Sequence, residues 1–188
     1  MFGTRVPEVP PAGPLSCVTR CVEDFEAWVV ARRGALARTA YLLTGDVHLA
    51  EDLVQDTLAR VAQRWRLLQR ADAHDAYART VMHHLAIDRW RRRKVRPPEL
   101  LSDHHPELGG DGPDVERRLV LRDALARLTP KQRAVLSLRF YEDLTEVQTA
   151  HVLGCSVNTV KSQSRAALER LRALAPDLLA SLSEEPTS

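Results

Sequence analysis

Two carboxylates and an amide lie within five positions of one another in the stretch AEDLVQDTLARV, residues 50–61. They are Asp52, Gln55 and Asp56, and a helical period places the two carboxylates opposite an apolar stripe. Paired carboxylates can perform acid–base catalysis, but this stretch has no nucleophile and no set of metal ligands around them. The pattern therefore indicates either a solvated helix face or a docking face for another protein.

A dense basic cluster follows in HHLAIDRWRRRKVR, residues 83–96, with six bases in eight positions. Cations at the end of a helix complement its dipole, but this number exceeds what a helix end needs and favours a polyanionic partner. Aromatic and planar groups beside the bases suit single-stranded or unstacked nucleic acid. The candidate side chains are Tyr77, His83, His84, Arg89, Arg91, Arg92, Arg93 and Lys94, accompanied by Trp90 and Arg96.

A third polar surface is predicted in LGCSVNTVKSQSR, residues 153–165, where one helical pattern stops at Gly154 and another starts at Ser156. On the second helix the small polar side chains point away from the apolar side, and longer basic ones flank them. A helix-turn-helix reader of duplex DNA has this layout, whereas the alternative is a solvated amphipathic helix. The candidate contacts are Ser156, Asn158, Thr159, Lys161, Ser162, Gln163 and Arg165.

The elements that must position these side chains are helices. Hydrophobic residues make up 44% of the 188 positions and aromatics only 5%, which favours helix over sheet. The net charge of +2 says little about partners, so the local clusters carry that information. One clean apolar stripe after a cap at Asp46 runs through Val47, Ala50, Val54, Leu58, Val61, Trp65 and Leu68.

Further local signals predict where helices begin and end. A loop is expected in QRADAHD, residues 69–75, before a third helix from about Asp75 to Lys94. Thr129 and Thr145 each begin a capping-box pattern, with Gln three residues later. Gly154 is expected to end one helix and Ser156 to cap the last.

These signals divide the chain into two helical domains. We expect a disordered tail over residues 1–22, a first domain over 23–94 and a linker over 95–114 that is rich in proline, glycine and acidic residues. A second domain with the helix-turn-helix should cover 115–175, followed by a tail over 176–188. The predicted fold is all-α, with two small domains joined by a flexible linker.

The N-terminal stretch, the apolar runs and the cysteines predict the cellular compartment. The N-terminal stretch lacks the apolar region of a secretory signal, and no run of residues is apolar enough to insert in a membrane. Three cysteines favour a reducing, cytoplasmic setting. His104 and His105 in the linker are expected to be solvated, so no metal and no cofactor are predicted.

The three features in this order resemble bacterial RNA polymerase sigma factors of the extracytoplasmic-function (ECF) type. TGDVHLAEDLVQDTLARV is similar to the core of the family's region two, AYARTVMHHLAIDRWRRR to its promoter-melting helix, and LTPKQRAVLSLRFYEDLTEVQTAHVLGCSVNTVKSQ to its region four. The resemblance spans about residues 25–174. The chain departs from the family pattern at Tyr77, His84, Thr149 and Ala166, where Trp, Asn, an aliphatic residue and Arg are usual.

The resemblance implies a role for each surface. The face of Asp52, Gln55 and Asp56 would dock on the β′ clamp helices of core RNA polymerase, and region four would approach the β flap. The helix from Tyr77 to Arg93 would open the minus-ten promoter element, and the helix from Ser156 to Leu171 would read the minus-thirty-five element. The partners would be core polymerase, promoter DNA and an anti-sigma factor, and the chain would not be an enzyme.

Two other classes of protein compete with this interpretation. A stand-alone transcriptional regulator would use the helix-turn-helix but would leave the acidic face and the basic cluster without a shared purpose. A nuclease would need a metal or nucleophile constellation that the residues do not supply.

Overall fold

The computed structural model of the chain describes residues 14–95, 120 and 123–175, with side chains at 20–69, 72–92, 120 and 123–175. The described residues form helices and their connecting turns, and none of them is in a strand. The all-α prediction is therefore confirmed for this part of the chain. The predicted linker lies almost wholly outside it, since only Val95 is described.

The first block is a bundle of three long helices: α1 (Pro14–Thr44), α2 (Val47–Ala71) and α3 (His74–Val95). Two-residue connections make each helix the antiparallel neighbour of the one before it. The predicted stripe of α2 is confirmed as its inward face, because Ala50, Val54, Val61, Trp65 and Leu68 are all buried. The core lies between this stripe and the facing sides of α1 and α3.

The start of α1 corrects the predicted tail. Residues 14–22 are helical rather than part of a disordered segment, and Pro14 suits the first position of a helix because its missing N–H has no partner there in any case. Cys21 and Phe25 pack against the cluster around Trp65, where the Phe25 and Trp65 rings meet edge to face with centroids 5.1 Å apart. Residues 1–13 lie outside the described part.

The connection between α2 and α3 is shorter than the predicted loop. α2 continues to Ala71, and Asp72 then adopts the left-handed conformation with φ 48°. The Asp72 N–H donates to the carbonyls of Gln69 and Leu68, which satisfies the last turn. Aspartate tolerates this backbone region better than most residues, so α3 can begin at His74, close to its predicted start at about Asp75.

The second block contains α4 (Pro130–Leu136), which continues through a π-helical turn (Ser137–Tyr141), then α5 (Glu146–Leu153) and α6 (Val157–Leu174). A short helical segment at 123–126 precedes them. The two predicted capping boxes at Thr129 and Thr145 are confirmed, with both reciprocal hydrogen bonds present in each. Gly154 ends α5 with φ 62°, and the Ser156 side chain caps α6, as predicted.

One buried hydroxyl of the second block has no hydrogen-bond partner. Thr149 on α5 is fully buried, and its Oγ1 contacts no donor or acceptor among the described residues. Thr57 on α2 is equally buried, but its hydroxyl donates to the Leu53 carbonyl over 2.7 Å. The two threonines are therefore equally buried, but only the Thr57 hydroxyl is hydrogen-bonded.

We expect Thr149→Val to raise the free energy of unfolding by about 1–3 kcal/mol, the usual cost of an unsatisfied buried polar group. Thr57→Val is the matched control and should give no gain, because it removes a hydrogen bond that is already made. Urea denaturation at unchanged m-value measures both. Equal shifts of the urea midpoint in the two variants would contradict the conclusion that only the Thr149 hydroxyl lacks a hydrogen-bond partner.

The two blocks contact each other instead of lying apart on their linker. α3 packs on α4 and α5, and α1 packs on α4. Ala134 of α4 is fully buried within the core cluster of the first block, and Leu153 of α5 packs against the same cluster. We call this boundary the seam.

Candidate nucleic-acid interface

α6 presents the predicted reading surface to solvent. Val160, Ala167 and Leu171 bury its inner face, while Asn158, Thr159, Ser162 and Ala166 are exposed on the rest. Gln163, one of the candidate DNA contacts, is half-buried at the margin of this surface. The predicted amphipathic orientation of α6 is thus confirmed.

Local hydrogen bonds fix the first turns of α6. The Ser156 Oγ accepts from the Thr159 N–H over 3.1 Å and lies 2.8 Å from the Thr159 hydroxyl. The Ser162 hydroxyl donates to the Thr159 carbonyl over 3.0 Å. These bonds hold the small polar side chains close to the helix. The helix could therefore lie close to the base edges in a DNA groove.

The two basic candidate contacts of α6 are paired with acidic side chains in the free chain. Lys161 Nζ lies 3.7 Å from Glu146, and Arg165 Nε lies 3.1 Å from Glu169. Both cations are mainly exposed, so the pairs contribute little to stability. A phosphate can therefore replace either carboxylate at small cost.

The basic end of α3 is only partly open to solvent. Arg91 and Arg92 are exposed, and Arg91 pairs with Asp88 over 2.9 Å. The indole of Trp90 is 39% exposed beside them. Arg93 and Lys94 belong to α3, but their side chains lie outside the described part.

His83 is a correction to the predicted DNA contacts. Its side chain is fully buried at the seam, so it cannot meet DNA in this arrangement. The ring Nδ1 donates to the Arg79 carbonyl over 2.9 Å, which leaves Nε2 as the acceptor facing the Ser137 hydroxyl at 3.4 Å. Burial lowers the pKa of His83, so the ring is neutral.

Two other predicted minus-ten contacts have partners within the protein, although His84 is exposed and Tyr77 is half-buried. The His84 Nε2 donates to the Val152 carbonyl of α5 over 2.8 Å, across the seam. Tyr77 is half-buried between the core clusters, and the Arg64 guanidinium lies 5.4 Å from the centre of its ring. The helical pattern alone gave no indication that His84 would form a hydrogen bond with the second block.

The predicted docking face lies on the outer side of α2. Asp52, Gln55 and Asp56 are all exposed, as the pattern predicted, and they lie together within little more than one turn. Arg89 of α3 reaches this face and forms an ion pair with Asp56. Arg89 was predicted to contact DNA, whereas in this structure its guanidinium is turned toward α2.

The structure adds a polar network at the seam that the sequence did not indicate. Arg79 of α3 forms an ion pair with Glu142, whose other carboxylate oxygen lies 3.8 Å from His83 Nε2. Arg38 of α1 donates to the Tyr141 hydroxyl over 3.0 Å. These partners are far apart in the chain, so no local pattern could pair them. Arg79, Tyr141 and Glu142 also line a cavity of about 310 Å³ between the blocks.

A half-buried cation lies at the other end of the seam. The Arg133 guanidinium of α4 sits near Gly45, and its Nε has no hydrogen-bond partner among the described residues. Burial lowers its pKa, although the group stays charged. The described part of the chain holds no cluster of three or more His, Cys, Asp or Glu side chains arranged for a metal ion.

Comparison with known proteins gives a consistent result for both blocks. The family model of sigma-70 region 2 matches residues 24–96, and that of sigma-70 region 4 matches residues 124–173. The RNA polymerase sigma-E factor of Streptomyces coelicolor is 40% identical over 153 residues, covering 80% of this chain and 85% of that protein. The ECF RNA polymerase sigma factor SigL of Mycobacterium tuberculosis H37Rv is 34% identical over 142 residues, covering 73% and 80%.

A solved structure shares the fold. The sigma factor RpoE of Bartonella quintana, crystallised with the anti-sigma factor NepR, superposes with a TM-score of 0.64 at 23% sequence identity. The match covers 82% of this chain and 98% of that one. None of the described helices of this chain combines the length and apolar character that crossing a bilayer requires.

Proposed function

We propose, on the premise that the chain belongs to the ECF-type family of RNA polymerase sigma factors, that one of its three polar surfaces docks on core polymerase and the other two contact promoter DNA. A sigma factor binds core RNA polymerase, directs it to specific promoters and assists their melting, and this chain does the same. The polymerase performs the chemistry, so the chain is not an enzyme.

The outer face of α2 is the proposed polymerase contact. Asp52, Gln55 and Asp56 would dock on the β′ clamp helices, and the second block would contact the β flap. This proposal is supported by the exposure of all three side chains on one rigid helix of the bundle. A surface that is anionic and accessible suits a basic partner.

The observation that carries the proposed function is the presence of this acidic face, a basic helix end and a helix-turn-helix in one chain. A run-off transcription assay tests it: the purified chain is added to core polymerase and a library of promoter fragments. New start sites should appear only when the chain is present. Binding of DNA without new start sites would favour a stand-alone regulator instead.

The exposed surface of α6 is the proposed reader of the minus-thirty-five element. Gln163→Ala should change which sequences are preferred, at a cost of about 1–3 kcal/mol on the original site if the amide makes a bidentate base contact. Lys161→Ala should weaken all sequences nearly alike, because it removes only a phosphate contact. Binding selection on randomised duplex DNA measures both. A changed preference in Lys161→Ala together with an unchanged one in Gln163→Ala would reverse the assignment.

The basic end of α3 is the proposed minus-ten surface, and its use requires the two blocks to separate. The two promoter elements lie about 25 base pairs apart, which is about 85 Å of duplex at 3.4 Å per base. In the free chain α3 contacts α5, and His84 is bonded to Val152. A chain closed at the seam cannot span that distance, so polymerase binding must favour an open form.

Two further aspects of the family are proposed for this chain. We assign it to the cytoplasm, where core polymerase and promoter DNA are found. We also propose an anti-sigma factor as a regulatory partner, by analogy with the Bartonella quintana complex. A pull-down from the native host with the tagged chain would test the regulatory partner, since an anti-sigma factor should be recovered as well as core polymerase.

A further inference from the structure

Arg89 makes three hydrogen bonds to α2 rather than pointing into solvent. Its Nη2 donates to the Asp56 carboxylate over 2.6 Å and to the Asp52 carbonyl over 3.0 Å. Its Nη1 lies 3.4 Å from the Leu49 carbonyl. The spacing of these three α2 residues puts them on one face of that helix, so the planar guanidinium lies across two of its turns.

The three bonds differ in strength. The two carbonyls are neutral, and each also accepts the hydrogen bond of its own helix, so only a second lone pair is available to Arg89. Asp56 supplies the charge-assisted bond, which is the stronger kind. The Asp56 carboxylate is 55% exposed, whereas the Arg89 side chain is only 27% exposed. The anion is therefore accessible to an outside partner while the cation is held against α2.

Asp56 thus belongs to two surfaces at once. It lies on the proposed polymerase-docking face, and it holds a cation of the proposed promoter-binding helix. A basic group of polymerase that approaches Asp56 competes with Arg89 for the Asp56 carboxylate. It also repels the Arg89 guanidinium, because both groups are cations. The attraction that keeps Arg89 on α2 then weakens, and the side chain can turn toward a phosphate.

We propose that the Asp56–Arg89 ion pair couples polymerase docking to promoter binding, with Arg89 acting as a positioning residue in the free chain and as a phosphate contact after docking. This inference rests on the proposed function of the α2 face. Coupling between two binding events is reciprocal. Removing the Arg89 charge should therefore strengthen polymerase docking, and removing the Asp56 charge should strengthen DNA binding.

The first test measures affinity for core polymerase. Arg89→Gln releases Asp56 and should tighten binding at least twofold, whereas Arg91→Gln, which removes an equal charge from the same helix, should not. If Arg89 only held α3 on α2, its loss would leave core affinity unchanged or weaken it. Either of those results overturns the proposal.

The second test uses the free chain and a fluorescein-labelled dT20 oligonucleotide, a probe for phosphate contacts alone. Asp56→Asn releases Arg89, which can then contact one more phosphate. The slope of log affinity against log salt concentration should therefore steepen by about 0.7. Between 50 and 200 mM salt, the variant should lose about 2.6-fold more affinity than the wild type. Asp52→Asn is the matched control, because it removes the same charge four positions away without an ion pair to Arg89. Equal slopes in the two variants overturn the proposal.

The two tests separate this inference from the proposed function. If the wild-type chain binds core polymerase and Arg89→Gln does not tighten that binding, the coupling is wrong and the sigma-factor role stands. If the wild-type chain does not bind core polymerase, both are wrong. The double variant Asp56→Asn, Arg89→Gln should lose the gain in DNA slope, since the released cation is then absent.

Discussion

Replacing Glu142 by arginine is expected to open the chain at the seam. The change removes the ion pair with Arg79 and places a second guanidinium against it, next to the buried ring of His83. The Glu142 side chain is only 15% exposed, so solvent screens this repulsion poorly. Breaking a buried ion pair costs about 3–5 kcal/mol. The Arg79–Glu142 pair is partly buried, so we expect a cost near the lower end of that range, comparable with a modest contact between domains.

Small-angle scattering measures the opening. A compact chain of this length has a radius of gyration of about 16 Å, and two blocks on a linker should exceed that by roughly 5 Å or more. Glu26→Arg makes the same change of charge on the exposed side of α1 and should leave the radius unchanged. The double exchange Arg79→Glu, Glu142→Arg should restore the compact form.

The opening also bears on function, because it would expose the part of α3 that the second block covers. Glu142→Arg should therefore bind minus-ten DNA more readily than the wild type when both are free of polymerase. If the radius of gyration does not change, the Arg79–Glu142 pair does not hold the blocks together. The seam would then depend on apolar contacts such as those of Ala134 and Leu153.

The features that the sequence predicted well are those that local physics decides. The caps at Asp46, Thr129, Thr145 and Ser156 and the stop at Gly154 each depend on a side chain and backbone within four positions. The buried stripe of α2 follows from the helical period alone. These features were sufficient to predict the helices and the orientation of α6.

The features that the sequence missed depend on residues far apart in the chain. Arg89 and Asp56 are separated by 33 positions, and Arg79 and Glu142 by 63. Many charged partners are available to such residues on an all-helical surface, so periodicity cannot choose among them. His83 shows the same limit, because its position on α3 looked like part of a basic face until the second block covered it.

Replacing Asp56 by lysine is expected to weaken binding to core polymerase at least tenfold, or about 1.4 kcal/mol. The side chain is exposed on the outer face of α2, and a lysine there meets both the proposed basic partner and Arg89 with like charge. An unfavourable contact between equal charges acts on affinity and on the rate of encounter. The fold should change little, since surface pairs contribute about 0–1 kcal/mol to stability.

Fluorescence anisotropy with labelled chain measures core affinity, and circular dichroism checks that helicity is kept. Glu26→Lys is the control for charge, because it makes the same substitution on the exposed side of α1, away from the docking face. An unchanged affinity of Asp56→Lys with normal helicity would show that this face does not dock on polymerase. A loss in both variants would indicate a general effect of net charge. A loss confined to Asp56→Lys would support docking through this carboxylate, and with it the premise on which the coupling to Arg89 depends.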